Sequence, residues 1–115
     1  VTTFERGEFR FRPLAVPSTG STELAVWEIE AGPGAAGETH SVSREEIFVV
    51  RAGEVVATIG GEQRRLAEGQ VLVVQPREEF ALANPGERTA LLTACSSRGV
   101  RAHLGGNTID PPWAR

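Results

Sequence analysis

Apolar and polar residues alternate along most of this chain with a period of two, in runs that are short and closely spaced. Phe9 to Leu14, FRFRPL, sets aromatic against cationic side chains until Pro13 interrupts the pattern, which predicts an edge strand with one dry and one wet face. Glu23 to Ala31, ELAVWEIEA, alternates again, with Leu24, Val26 and Glu28 on one face and Ala25, Trp27 and Ile29 on the other. Glu46 to Arg51, Val55 to Ile59 and Glu62 to Leu66 follow, joined by turns at Ala52-Gly53-Glu54 and Gly60-Gly61, the second suited to primed hairpin geometry. Val71 to Val74 is apolar throughout, which predicts burial on both faces. Phe80 to Asn84 and Arg88 to Cys95 read as further strands, with another at Val100 to Leu104. No stretch of a dozen residues carries a 3.6-residue apolar period, so the expectation is an all-β sandwich or barrel.

Composition narrows the function classes. A chain of 115 residues suits one domain, 1–115, with a single core. Its 13 glycines and 7 prolines are scattered, as many tight turns require. Twelve cations, all arginine, face 15 acidic residues for a net charge of -3, and no basic stripe marks a nucleic-acid surface. The lone Cys95 forms no intrachain disulfide and reads as a buried, unreactive thiol. Without a long apolar run or a leader pattern the expectation is no membrane span and a cytoplasmic protein.

Two stretches carry the candidate chemistry. Residues 34–53, GAAGETHSVSREEIFVVRAG, place His40 and Glu46 where strands aim them into one interior. Residues 69–86, GQVLVVQPREEFALANPG, form the second stretch. Together they resemble the paired motifs of the cupin superfamily, Gly-x5-His-x-His-x3-Glu-x6-Gly and Gly-x5-Pro-x-Gly-x2-His-x3-Asn. Gly34, His40, Glu46 and Gly53 match the first at every spacing, with Val42 in place of the second histidine. Gly69 and Asn84 match the ends of the second, while Gln75 replaces its proline, Arg77 its glycine and Phe80 its histidine. The resemblance implies a cupin-type jelly-roll β-barrel, a central pocket and a homodimer.

The family's metal ligands are three histidines and a glutamate, and two of those positions here, Val42 and Phe80, have no donor atom. His40 and Glu46 alone leave a Mn, Fe, Ni or Zn ion short of ligands, so no cofactor is expected. Rescue would need Glu38, in phase with His40, or Glu78, on the face of Phe80; Glu79 points the other way. Without an ion, His40 and Glu46 lie close enough to hydrogen-bond, among apolar residues that include Val42, Phe48, Phe80 and Leu82. Burial would raise the carboxyl pKa and lower that of the imidazole, and their mutual attraction would oppose both shifts. Such a pair suits acid–base chemistry in a metal-independent cyclase, isomerase or dehydratase acting on a small hydrophobic molecule. The alternatives are a noncatalytic ligand-binding or sensing module, in which the pair is only structural, and a metal-dependent oxygenase or isomerase with replaced ligands.

Other residues read more plainly. Arg44, Glu45 and Arg51 suggest a solvated face, with an entrance role for Arg44 as the sharper reading. Arg77 to Glu79 suggest a surface turn and His103 a solvated strand residue. Phe9, Phe11 and Trp27 suggest core or dimer contacts, while Ile109 and Trp113 anchor the polar tail over the barrel or over a neighbouring subunit.

Overall fold

The computed structural model describes residues 2–115. Its strands run in chain order as β1 (Phe4–Arg6), β2 (Phe9–Ala15), β3 (Leu24–Ala31), β4 (Ser41–Val42), β5 (Glu46–Ala52), β6 (Glu54–Ile59), β7 (Glu62–Ala67), β8 (Val71–Val74), β9 (Phe80–Ala83), β10 (Ala90–Ser97), β11 (Ala102–Leu104) and β12 (Asn107–Ile109). Two short 3-10 turns, Pro17–Thr19 and Pro112–Ala114, are the helical elements among the described residues. Three antiparallel sheets result, in the orders β1-β2-β3-β10-β5-β8, β7-β6-β9 and β12-β11-β4. Hydrogen bonding does not close them into one cylinder. They contribute to one core all the same, as the expected jelly roll requires, with Trp27, Leu72 and Leu92 from the first sheet, Val55 and Phe80 from the second and Val42 and Ala102 from the third.

The period-two pattern positions this core. In β3, Ala25, Trp27, Ile29 and Ala31 are buried and Leu24 is exposed, as alternation dictates. In β5 the same rule turns Glu46, Phe48 and Val50 inward. The turns are built from glycine where the backbone demands it. Gly60 and Gly61 take φ of 59° and 80°, the left-handed pair of a type I′ hairpin. Gly53 has φ 76° and packs so closely on β10 that a Cβ would sit 3.0 Å from the Ala90 Cα.

Three sequence expectations are corrected here. β2 is not the sheet edge, because β1 pairs outside it. It also continues through Pro13, opposite Trp27, and a register irregularity between Pro13 and Ala15 accommodates the missing N–H. β8 is buried on one face only: Leu72 and Val74 point inward, while Val71 and Val73 are 48% and 44% exposed. The register on β5 explains this, since Leu72 and Val74 lie opposite the inward Phe48 and Glu46, and Val71 and Val73 opposite the outward Val49 and Ile47. Finally, Cys95 is half-buried rather than buried, being on the outward phase of β10 between Ile47 and Val26. No helix among the described residues is long and apolar enough to cross a membrane.

Candidate functional site

The first marked stretch does not reach its strand directly. Residues 34–40 run beside β9 as an antiparallel lip, with hydrogen bonds from Gly34 N–H to Asn84 O, Gly37 N–H to Leu82 O and His40 N–H to Phe80 O. Phe80 N–H returns a bond to His40 O at 2.8 Å, so the retained histidine and the phenylalanine at the lost histidine position face each other as a two-bond pair. Their rings meet at a centroid distance of 4.4 Å, and Phe80 packs on Phe48 at 5.6 Å. Asn84 fixes the far end of β9. Fully buried, it donates to the carbonyls of Ala31 and Arg88 and accepts from Gly86 N–H.

His40 Nδ1 lies 2.9 Å from the backbone carbonyl of Glu38. A carbonyl oxygen only accepts, so Nδ1 carries the proton and the neutral ring leaves Nε2 as an acceptor. Burial pulls the imidazole pKa below 6.5, against the bond to the Glu38 carbonyl; the Arg6 charge lowers it further and the Glu38 charge opposes. Glu46 opens β5 with its side chain inward and 5% exposed, and no described residue hydrogen-bonds to its carboxyl. Burial alone pushes that carboxyl from 4.5 to about 8. At neutral pH the pair is therefore a carboxylic acid and an uncharged imidazole.

These two groups line one cavity of about 440 Å³. Val42, Phe48, Phe80 and Leu82 line it too, so the structure brings together all six residues singled out from the two stretches. The expected hydrogen bond between His40 and Glu46 is absent among the described residues; the ring bonds the Glu38 carbonyl through Nδ1. Glu38 lines the cavity, whereas Glu78 does not: its carboxylate caps the turn at Gln75 N–H, 3.0 Å away, which corrects the expectation that it shares the inward face of Phe80. Arg44 is also outside the lining, and the cation found there is Arg6.

The aromatic wall is richer than the two stretches suggest. Phe9, Phe11 and Trp27 face the cavity as well as the core. The tail folds over this chain's own barrel, with Trp113 stacked on Phe11 at 3.8 Å and 9° and Ile109 beside it in the lining. Ser18 Oγ holds the tail by donating to the carbonyl of Arg115. The alternation of β2 and β3 carried the signal for the first three residues. Arg6 gave none, since the short polar run ERGE around it reads as surface.

The donor set does not fit a divalent ion. Among the described residues no three His, Cys, Asp or Glu side chains converge. Glu38, His40 and Glu46 line the cavity without converging on one point, and the Glu46 carboxyl would first have to lose the proton burial keeps on it.

Comparison with known proteins completes the picture. No curated protein matches the chain by sequence. Among solved structures, the polyketide cyclase RemF from Streptomyces resistomycificus superposes with a TM-score of 0.79 at 16% identity, covering 90% of this chain and 75% of that one. An RmlC-like cupin from Shewanella frigidimarina gives 0.74 at 20% identity, covering 85% of this chain and 84% of that one. Salicylate 1,2-dioxygenase from Pseudoaminobacter salicylatoxidans gives 0.77 at 17%, covering 92% of this chain and 31% of that one. At such identities the likeness is one of fold. A cupin-domain model matches residues 26–95. With that match and the jelly-roll topology together, the chain belongs to the cupin superfamily.

Proposed function

We propose that this cupin is an enzyme that takes a small hydrophobic molecule into the barrel cavity and moves protons on it, with Glu46 as the acid and His40 as the base. The observation that carries the reading is that one apolar cavity holds a carboxyl kept protonated and an imidazole kept neutral with Nε2 free. His40 Nε2 takes a proton from the carbon next to a carbonyl, and the C–H electron pair becomes the C=C bond of an enol. Glu46 gives its proton to the carbonyl oxygen. The resulting imidazolium and carboxylate then reverse the exchange on the next step. Returning the proton to another carbon gives an isomer, and protonating a β-hydroxyl as it leaves gives water and an alkene. Attack of the enol carbon on a second carbonyl closes a ring. The fold is shared with a polyketide cyclase, and cyclisation is one of these three outcomes. The pair uses no divalent ion in this scheme.

The test follows a carbon acid of the right shape, 2-tetralone, in D2O by NMR. Wild-type protein is expected to accelerate deuterium uptake beside the carbonyl with or without a chelator. His40→Ala and Glu46→Gln should each slow it roughly 100-fold or more. Exchange no faster than in buffer would leave the cavity a ligand-binding site without chemistry. Exchange abolished by the chelator and restored by a divalent ion would overturn the metal-independent scheme.

A further inference from the structure

One cationic side chain of the cavity wall takes no part in the proton transfer and has no ionic partner among the described residues. In the β1–β2 hairpin Arg6 lies opposite Phe9, and Phe4 opposite Phe11. Residues paired across a hairpin share a face, so Arg6 occupies an inward position of an otherwise aromatic surface, while Glu5, Arg10 and Arg12 face outward. The outward arginines are neutralised, Arg10 by Glu5 at 3.3 Å and Glu30 at 3.7 Å, and Arg12 by Glu28 at 2.9 Å. Arg6 forms no salt bridge among the described residues and is the one cation in the lining. Glu38, exposed in the same lining, stays beyond salt-bridge distance of it. Arg6 is itself exposed, so it stands where the cavity meets solvent.

A guanidinium in that place presents a planar fork of donors, which matches a carboxylate, beside an apolar chamber that matches a hydrocarbon body. We infer that Arg6 is a specificity-determining residue: it receives the carboxylate of an amphipathic, aromatic or polyene acid whose apolar body lies along Phe9, Phe11 and Trp113. The inference rests on the proposed function only in taking the cavity as the ligand site. It names a substrate class, hydrophobic organic acids, and leaves His40 and Glu46 free for the reacting end.

Equilibrium dialysis with 2-naphthoate and its uncharged analogue 2-naphthamide tests it. Wild-type protein should bind naphthoate about tenfold more tightly than naphthamide. Arg6→Gln should bind the two about equally, Arg6→Lys should keep part of the preference, and Arg10→Gln, which removes a charge from the outer face, should keep all of it. Equal affinities in the wild type would overturn the inference. So would a preference that survives Arg6→Gln or that Arg10→Gln abolishes equally. Binding of neither compound would overturn both this inference and the reading of the cavity as a ligand site. Failure of tetralone exchange alongside an Arg6-dependent preference would overturn the enzyme reading alone.

Discussion

Replacing Glu46 by glutamine should make the protein more stable as the pH rises, and the size of the gain follows from burial. The carboxyl titrates near 4.5 when exposed and at about 8 in the folded chain. Below pH 4 it is protonated in both states and contributes nothing. Between the two values the unfolded chain releases its proton while the folded chain keeps it, so stability falls by about 1.4 kcal/mol per pH unit. The full loss above pH 8 is about 5 kcal/mol, and contact with cavity water reduces it to roughly 3 to 5. Glutamine has nearly the same shape as the protonated acid and never ionises. Urea denaturation of both proteins at pH 5, 6, 7 and 8 isolates the effect. His40, whose pKa burial lowers, costs stability as the pH falls below 6.5 in both proteins. Cys95, raised by burial, matters only above pH 9.0. The glutamine variant should gain about 3 kcal/mol or more on the wild type between pH 5 and 8 with an unchanged m-value. A difference that stays constant within about 0.5 kcal/mol would refute the reasoning. The same variant should lose tetralone exchange, so stability and function would move in opposite directions at one residue.

Two further outcomes are expected. Val42→His combined with Phe80→His returns donors to both vacated ligand positions beside His40 and Glu46, and elemental analysis should find near-stoichiometric Ni or Zn in the double variant but not in the wild type. Arg77→Gly should raise stability by about 1 kcal/mol in thermal unfolding, because Arg77 stands at the motif's glycine position with φ 69°, a conformation that a side chain resists.

The stretches 34–53 and 69–86 made the jelly roll legible through their resemblance to the cupin motifs, and the six residues they singled out line one cavity. Their limits are physical too. A strand as short as β1, holding Phe4, Glu5 and Arg6, has too few residues to display a period, so the hairpin that brings Arg6 inward was invisible. Val71 and Val73 are as apolar as Leu72 and Val74, and only the register against β5, which sets Leu72 opposite Phe48 and Val74 opposite Glu46, decides which pair is covered. The bond that His40 does make, from Nδ1 to the carbonyl of Glu38 two residues away, is a local backbone contact that side-chain spacing does not display. Arg77, at the motif's glycine position, holds a left-handed φ of 69° with its N–H bonded to Val42 O at 2.9 Å, a conformation its residue type does not announce.

The state of His40 is the most direct measure of whether this cavity is built for acid–base work. The chain has two histidines, so 15N-labelled imidazole resonances are assigned by comparison with His40→Ala. At pH 7.5 His40 is expected to be neutral, with the proton on Nδ1 and Nε2 showing the shift of a free acceptor. An imidazolium at that pH, or a neutral ring protonated on Nε2, would leave Glu46 without a base to face and would contradict the proposed chemistry.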